Sequence, residues 1–276
     1  MWEEIGKKQN EEEMLQLQYY ARILYNRANR MFVLKTIVLI TGVLTVVLDF
    51  NIVVTAIIAI LYKTLNVVEV KCIENAASAR ALFDAKLFDF DISRNCDEIK
   101  EKAYKICVKK REDFEIQKNN TGMDVPPGVK DWYTMNDGST KREIIFKCQI
   151  ENTKWDEKIT RINTIILQII VIVMFIGYVF LKRNTTVLEF FMNLFIGYEL
   201  IEQVLVTGLE YKRYNCNLIK RKQEIERMQQ GKIKKKDIER LQELINERRE
   251  LRLVPFNGIH KYVSAEMHEL LKRYKK

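Results

Sequence analysis

The chain has 276 residues, with 46 Lys and Arg against 37 Asp and Glu, a net charge of +9 and a pI near 9.1. Its mean hydropathy of −0.20 averages very apolar runs with very charged ones, and the cations crowd beside the apolar runs, which is a membrane pattern and not that of one large soluble domain. The five cysteines, Cys72, Cys96, Cys107, Cys148 and Cys216, are odd in number and form no CxxC pair, which argues against a disulfide framework or a metal ribbon and for reduced cytoplasmic thiols.

Residues 1–30 are charged and show no cleavable signal peptide. Asn10 followed by Glu11, Glu12 and Glu13 gives a cap with acids in the first turn, and Met14, Leu17, Ala21, Leu24 and Ala28 follow at helical spacing. An amphipathic cytoplasmic helix is predicted there. Four apolar runs come close to the about twenty residues that cross a bilayer: 31–48, 52–68, 162–181 and 186–209. Only Asp49-Phe50-Asn51 separates the first two and Lys182-Arg183-Asn184-Thr185 the last two, so each pair folds back as a hairpin. Lys35 and Lys63 interrupt the first pair, from where long side chains can snorkel, and two soluble core helices are the other reading of this pair. The expectation is an all-α membrane protein with four transmembrane helices in two hairpins, 31–68 and 162–209. Lys and Arg flank the long segments, among them Arg30, Lys71, Lys158, Arg161 and Lys212, which places both termini and the segment between the hairpins in the cytoplasm.

The central segment, 69–161, opens with helical character and then passes Pro126-Pro127-Gly128 and Asn136-Asp137-Gly138, which are turn sequences. It is predicted to be a small α-rich domain. The region 210–276 reads as helical: a charged helix over 217–230, a break at Gly231, a second helix striped by Ile238, Leu241 and Ile245 and ended by Pro255, and a final helix with Ile259, Val263, Met267, Leu270 and Tyr274 on one face.

No catalytic constellation is present in the sequence, so no enzyme is expected. His260 and His268 have no ligand partner at metal spacing, no glycine-rich phosphate loop occurs, and Phe88-Asp89-Phe90-Asp91 lacks the further oxygens of a Ca²⁺ site and reads as a solvated turn. Lys234-Lys235-Lys236 beside a membrane suits anionic lipid better than DNA or RNA. The last apolar run is unusual. At about 100° per residue, Glu189, Asn193, Glu199, Gln203, Thr207 and Glu210 fall within roughly 120° of one another, with Glu202 nearby. Two readings stand: a water-filled path lined by Glu189, Asn193, Glu199, Glu202, Gln203 and Thr207, or interfacial acids with Glu199 and Glu202 paired or protonated inside a bundle.

Several short strings in fixed order carry a resemblance: Leu87-Phe88-Asp89-Phe90-Asp91, Lys130-Asp131-Trp132-Tyr133, Cys148-Gln149, Trp155-Asp156-Glu157-Lys158, Leu241-Gln242-Glu243-Leu244-Ile245, Arg248-Arg249 and Pro255. Together, over nearly the whole chain, they resemble the bacterial four-transmembrane pore-forming effectors associated with cyclic-oligonucleotide (CBASS-type) anti-phage signalling. The resemblance implies a homo-oligomeric effector in the bacterial inner membrane. A partner nucleotidyltransferase would make a cyclic di- or oligonucleotide, and the effector would then permeabilise the membrane of the infected cell. No cofactor is expected besides that activating ligand. A site for it would offer rings for bases and cations for phosphates. Trp132, Tyr133 and Trp155 supply rings and Arg161, Arg248 and Arg249 supply guanidiniums. Trp155 also suits an interfacial anchor, Trp132 domain packing, and Asp131 and Asp156 helix caps. A regulated pore is the leading function; a membrane-anchored interaction protein is the alternative.

Overall fold

The computed structural model describes residues 2–48, 52–91, 95–134, 138, 140–181, 186–187 and 198–253. All regular elements among these are α-helices: α1 (Trp2–Lys8), α2 (Glu12–Val47), α3 (Ile52–Phe88), α4 (Cys96–Lys109), α5 (Arg111–Asn119), α6 (Lys141–Leu181), α7 (Tyr198–Gln229) and α8 (Lys235–Glu250). Both hairpin connectors, the positions Glu189 and Asn193, both histidines and the expected last helix lie outside the described residues.

The all-helical expectation agrees with the structure; the expectation of four transmembrane helices does not. No described helix is long and apolar enough to cross a membrane. The physical reason is visible at the charged residues inside the apolar runs. Lys35 does not snorkel to an edge but turns inward between α2 and α3, where it pairs with Glu69 at 2.5 Å and donates to Asn66 at 3.0 Å; the two charged side chains are only 6% and 4% exposed. Lys63 pairs with Glu202 of α7. The first three apolar runs are therefore each one end of a longer helix that also carries paired charge, and the described part of the fourth, 198–209, opens α7.

α2 and α3 pack antiparallel along their whole length. Ala28 meets Ile73, Lys35 meets Asn66, Leu39 meets Tyr62, and Gly42 faces Ile58 so closely that a Cβ there would stand 3.2 Å from its side chain. From Ala28 to Leu39 every step along α2 is matched by an equal step back along α3, and the Gly42–Ile58 approach lies within one residue of that register. The other ends of the two helices build the main core. Met14, Leu17 and Ala21 of α2 and Ala79, Phe83 and Leu87 of α3 pack with Ile144 and Cys148 of α6 and with Ile238, Leu241 and Ile245 of α8. Each such aliphatic or aromatic side chain contributes about 1.5–3 kcal/mol by leaving water.

α3 ends without a glycine. Asp89 takes the left-handed conformation (φ 57°), a position that asparagine and aspartate tolerate better than other L residues, and the amide of Phe90 reaches back to the carbonyl of Ala85 at 2.9 Å. Phe88 and Phe90 then pack edge to face. The Asp89 carboxylate draws in Lys8 of α1 at 2.6 Å and Lys141 at the start of α6. Asn10, expected as a cap, instead donates to the Gly6 carbonyl at 3.2 Å and exchanges two bonds with Asp131, whose side chain accepts at 2.6 Å and whose amide donates at 3.0 Å. The loop after α5 folds onto itself through Gly128 to Thr121 (2.6 Å), Val129 to Gln117 (2.8 Å) and Lys130 to Asn120 (3.0 Å), and Arg22 of α2 binds the Gly128 carbonyl at 2.9 Å.

Candidate functional site: a buried arginine hub

Where α3, α6, α7 and α8 converge, the core stops being apolar. One turn of α3 places Arg80 and Asp84 four residues apart, on the same face. Asp84, 1% exposed, accepts from the Tyr133 hydroxyl at 2.9 Å, from Gln242 of α8 at 2.7 Å and from Arg249 of α8 at 2.8 Å. Gln149 of α6 extends the chain of bonds, donating to Gln242 at 3.1 Å and to the Ile238 carbonyl at 2.9 Å. A second centre forms around Asp156 of α6. Arg221 of α7 pairs with it at 2.7 Å and Arg248 of α8 at 2.9 Å, while Arg248 also donates to Thr160 at 2.8 Å and lies over the Tyr214 ring at 5.0 Å. Arg248 and Arg249 are consecutive, so the last turn of α8 joins the two centres.

The charges do not balance. Three guanidiniums, those of Arg221, Arg248 and Arg249, share two carboxylates, and that of Arg80 stands beside them. Burial alone would lower the Arg249 guanidinium, but Asp84 holds it above the ordinary arginine value. Among the described residues Arg80 has no carboxylate within ion-pair distance; burial, then repulsion by Arg249, pushes it down to about 10. Its guanidinium instead stacks on the Trp132 indole, 3.6 Å from the ring centroid. Burial, then the neighbouring Asp84, pushes the Tyr133 phenol well up, and burial, then Glu151, does the same to the Cys148 thiol. Both therefore stay protonated at neutral pH and are poor nucleophiles.

The residues expected to bind a ligand distribute unevenly. Trp132, Tyr133, Arg248 and Arg249 all come together in the hub. Trp155 packs outside it, against Ile159, Ile162 and Ile166 of its own helix, and Arg161 is exposed. Asp156 is no cap, since it stands mid-helix between two arginines. Sequence reasoning missed Arg80, Asp84 and Arg221. The i, i+4 spacing of Arg80 and Asp84 in a helix was the available signal for two of them. Of the residues expected to line a path, Glu202 is engaged by Lys63, Thr207 is half-buried in α7, and Glu199 and Gln203 lie in α7 with their side chains outside the described residues, as Glu189 and Asn193 are altogether. Among the described residues, no group of three or more His, Cys, Asp or Glu could hold a metal.

The motif strings thus converge in space: Tyr133, Gln149, Asp156, Gln242, Arg248 and Arg249 each come from a different short string or an adjacent pair and meet in one network. The chain belongs to the family described as the SMODS-associating 4TM effector domain, which it matches over residues 3–253. It is therefore an effector associated with SMODS/CBASS-type signalling. No curated protein and no solved structure matches it.

Proposed function

We propose that the chain is a membrane-active effector of anti-phage defence. On a cyclic-oligonucleotide signal from a partner nucleotidyltransferase, it assembles with copies of itself on the bacterial inner membrane and permeabilises it. One observation carries this reading. The exposed large aliphatic residues of α2 run from Val33 to Leu48, those of α3 from Val53 to Val67, and those of α6 from Ile165, while the opposite ends of the same helices are closed into the core and hub. Patches of that extent on one end of a molecule mark a lipid or protein contact surface.

The action is non-enzymatic in this reading, since the hub offers arginines, amides and protonated phenols in place of a nucleophile and base. The alternative, an effector that engages a partner at the membrane without forming a pore, is favoured by the Lys63–Glu202 pair, which occupies a carboxylate that a polar path would leave open. Bacteria producing the chain with an active cyclic-oligonucleotide synthase test the two readings. Rapid loss of membrane potential that precedes loss of viability, absent with an inactive synthase, supports permeabilisation. Loss of viability with the potential intact supports the alternative.

A further inference from the structure

The folded hub leaves part of its own chemistry unused. Arg221 is 0% exposed, yet only one of its terminal nitrogens meets Asp156; its Nε and the other terminal nitrogen, Nη1, are sealed from solvent without an acceptor. Arg80 is 8% exposed, and its Nη1 is likewise buried without an acceptor. Buried donors without partners are rare, and a buried cation without a counter-charge is rarer still. An apolar side chain of similar volume would pack the Arg80 position more favourably if packing were its only role, since Arg80 forms no ion pair among the described residues. Both arginines sit in a group in which, among the described residues, Asp84 and Asp156 are the carboxylates that pair with its arginines, and both are already shared or engaged.

An acceptor-only ligand with its charge spread over several oxygens fits this arrangement. A guanidinium offers a planar fork of donors that matches a phosphodiester, and four such forks are joined here through the last turn of α8. The flat partner is also in place. Trp132 is half-buried and carries Arg80 on its face, so the guanidinium stacks while its Nη1 stays buried without an acceptor. A base that stacks on an indole next to a cation is a common means of nucleic-acid recognition without base reading.

We propose that Arg80, Arg221, Arg248 and Arg249 form a binding site for an anion carrying at least two phosphodiester groups, with Trp132 receiving an attached base. This rests on the reading that the chain answers a nucleotide signal, and it assigns the site of that signal. Because Arg80 and Arg221 are closed off here, the ligand enters by displacing the α8 end of the hub. It supplies Arg248 and Arg249 with oxygens in place of Asp156 and Asp84. Ligand binding and release of α8 from α3 and α6 are then one event.

The test is binding to the full chain in detergent, followed by thermal shift and calorimetry, with four probes. Cyclic di-adenylate and cyclic tri-adenylate carry phosphodiesters and bases, glycerophosphoglycerol carries the phosphodiester of a lipid headgroup without a base, and sulfate is a plain anion. Saturable binding of at least one cyclic nucleotide, at least tenfold tighter than the other two probes, is expected. Arg80→Met and Arg221→Met should each weaken it at least tenfold, and Arg80→Met, which breaks no ion pair, should do so with a melting temperature equal to or above that of the unaltered chain. Trp132→Leu should weaken the cyclic nucleotide and leave glycerophosphoglycerol unchanged. Equal binding of glycerophosphoglycerol would overturn the nucleotide assignment in favour of a lipid headgroup. Variants that melt lower yet bind as before would overturn the site, as would no saturable binding of any phosphodiester. Binding without depolarisation of cells leaves the site standing and removes the pore; depolarisation that survives both Met variants removes the site alone.

Discussion

Arg249 stands 2.8 Å from Asp84, both side chains nearly sealed from solvent, so the last turn of α8 is fastened to the C-terminal end of α3 by a buried charge pair. Removing one partner of such a pair leaves the other uncompensated, which typically costs about 3–5 kcal/mol. Asp84→Asn should therefore lower the unfolding free energy by about that amount in a denaturant titration. Asp84→Leu combined with Arg249→Met should lose less than either single change, because the pair is removed together.

Gly128 is fixed by close approach. A Cβ there would stand 1.8 Å from the Asn120 carbonyl oxygen and 2.3 Å from that of Gln117, both backbone atoms. Gly128→Ala should destabilise by about 1–3 kcal/mol or more. Hydrogen exchange should show Val129 and Lys130, whose amides donate to Gln117 and Asn120, losing protection first.

Lys63 and Glu202 join α3 to α7. Their side chains are 44% and 27% exposed, so in water the pair is worth no more than about 1 kcal/mol. Lys63→Gln and Glu202→Gln should give a double-mutant coupling of that size in detergent. A larger coupling measured in lipid vesicles would show that the pair is shielded from water there.

Two carboxylates make the fold acid-sensitive at its closed end. Glu13 is held below its ordinary 4.5 by Lys86 and Lys100 despite partial burial, and Asp89 is held below its ordinary 3.8 by Lys141 and Lys8. In both cases the unfolded chain binds protons first as pH falls, so the stabilisation is fully present above those ordinary values and is lost progressively below them. The slope of melting temperature against pH below 4.5 should flatten in a Glu13→Gln, Asp89→Asn variant.

Helix content, the breaks near 120–140 and at Gly231, and the clustering of Trp132, Tyr133, Arg248 and Arg249 were legible in the sequence because they depend on local spacing, turn residues and short strings. The four transmembrane helices read from the apolar runs were not borne out, since no described helix is long and apolar enough to cross a membrane. Hydropathy counts Lys35 and Lys63 as interruptions that snorkel, whereas pairing with Glu69 and Glu202 depends on a register between helices that a linear pattern does not contain. The core of the hub was hidden for the same reason. Arg80 reads as one more helical cation until Trp132 is folded over it, and Arg221 as one of a basic run until α6 brings Asp156 against it.

Release of dye from vesicles of phosphatidylethanolamine and phosphatidylglycerol by the purified full chain, with and without the cyclic nucleotide that binds it, tests the central claim most directly. The account predicts release that depends on the nucleotide and is lost in Arg80→Met. Saturable nucleotide binding on the same vesicles with the dye fully retained would contradict it.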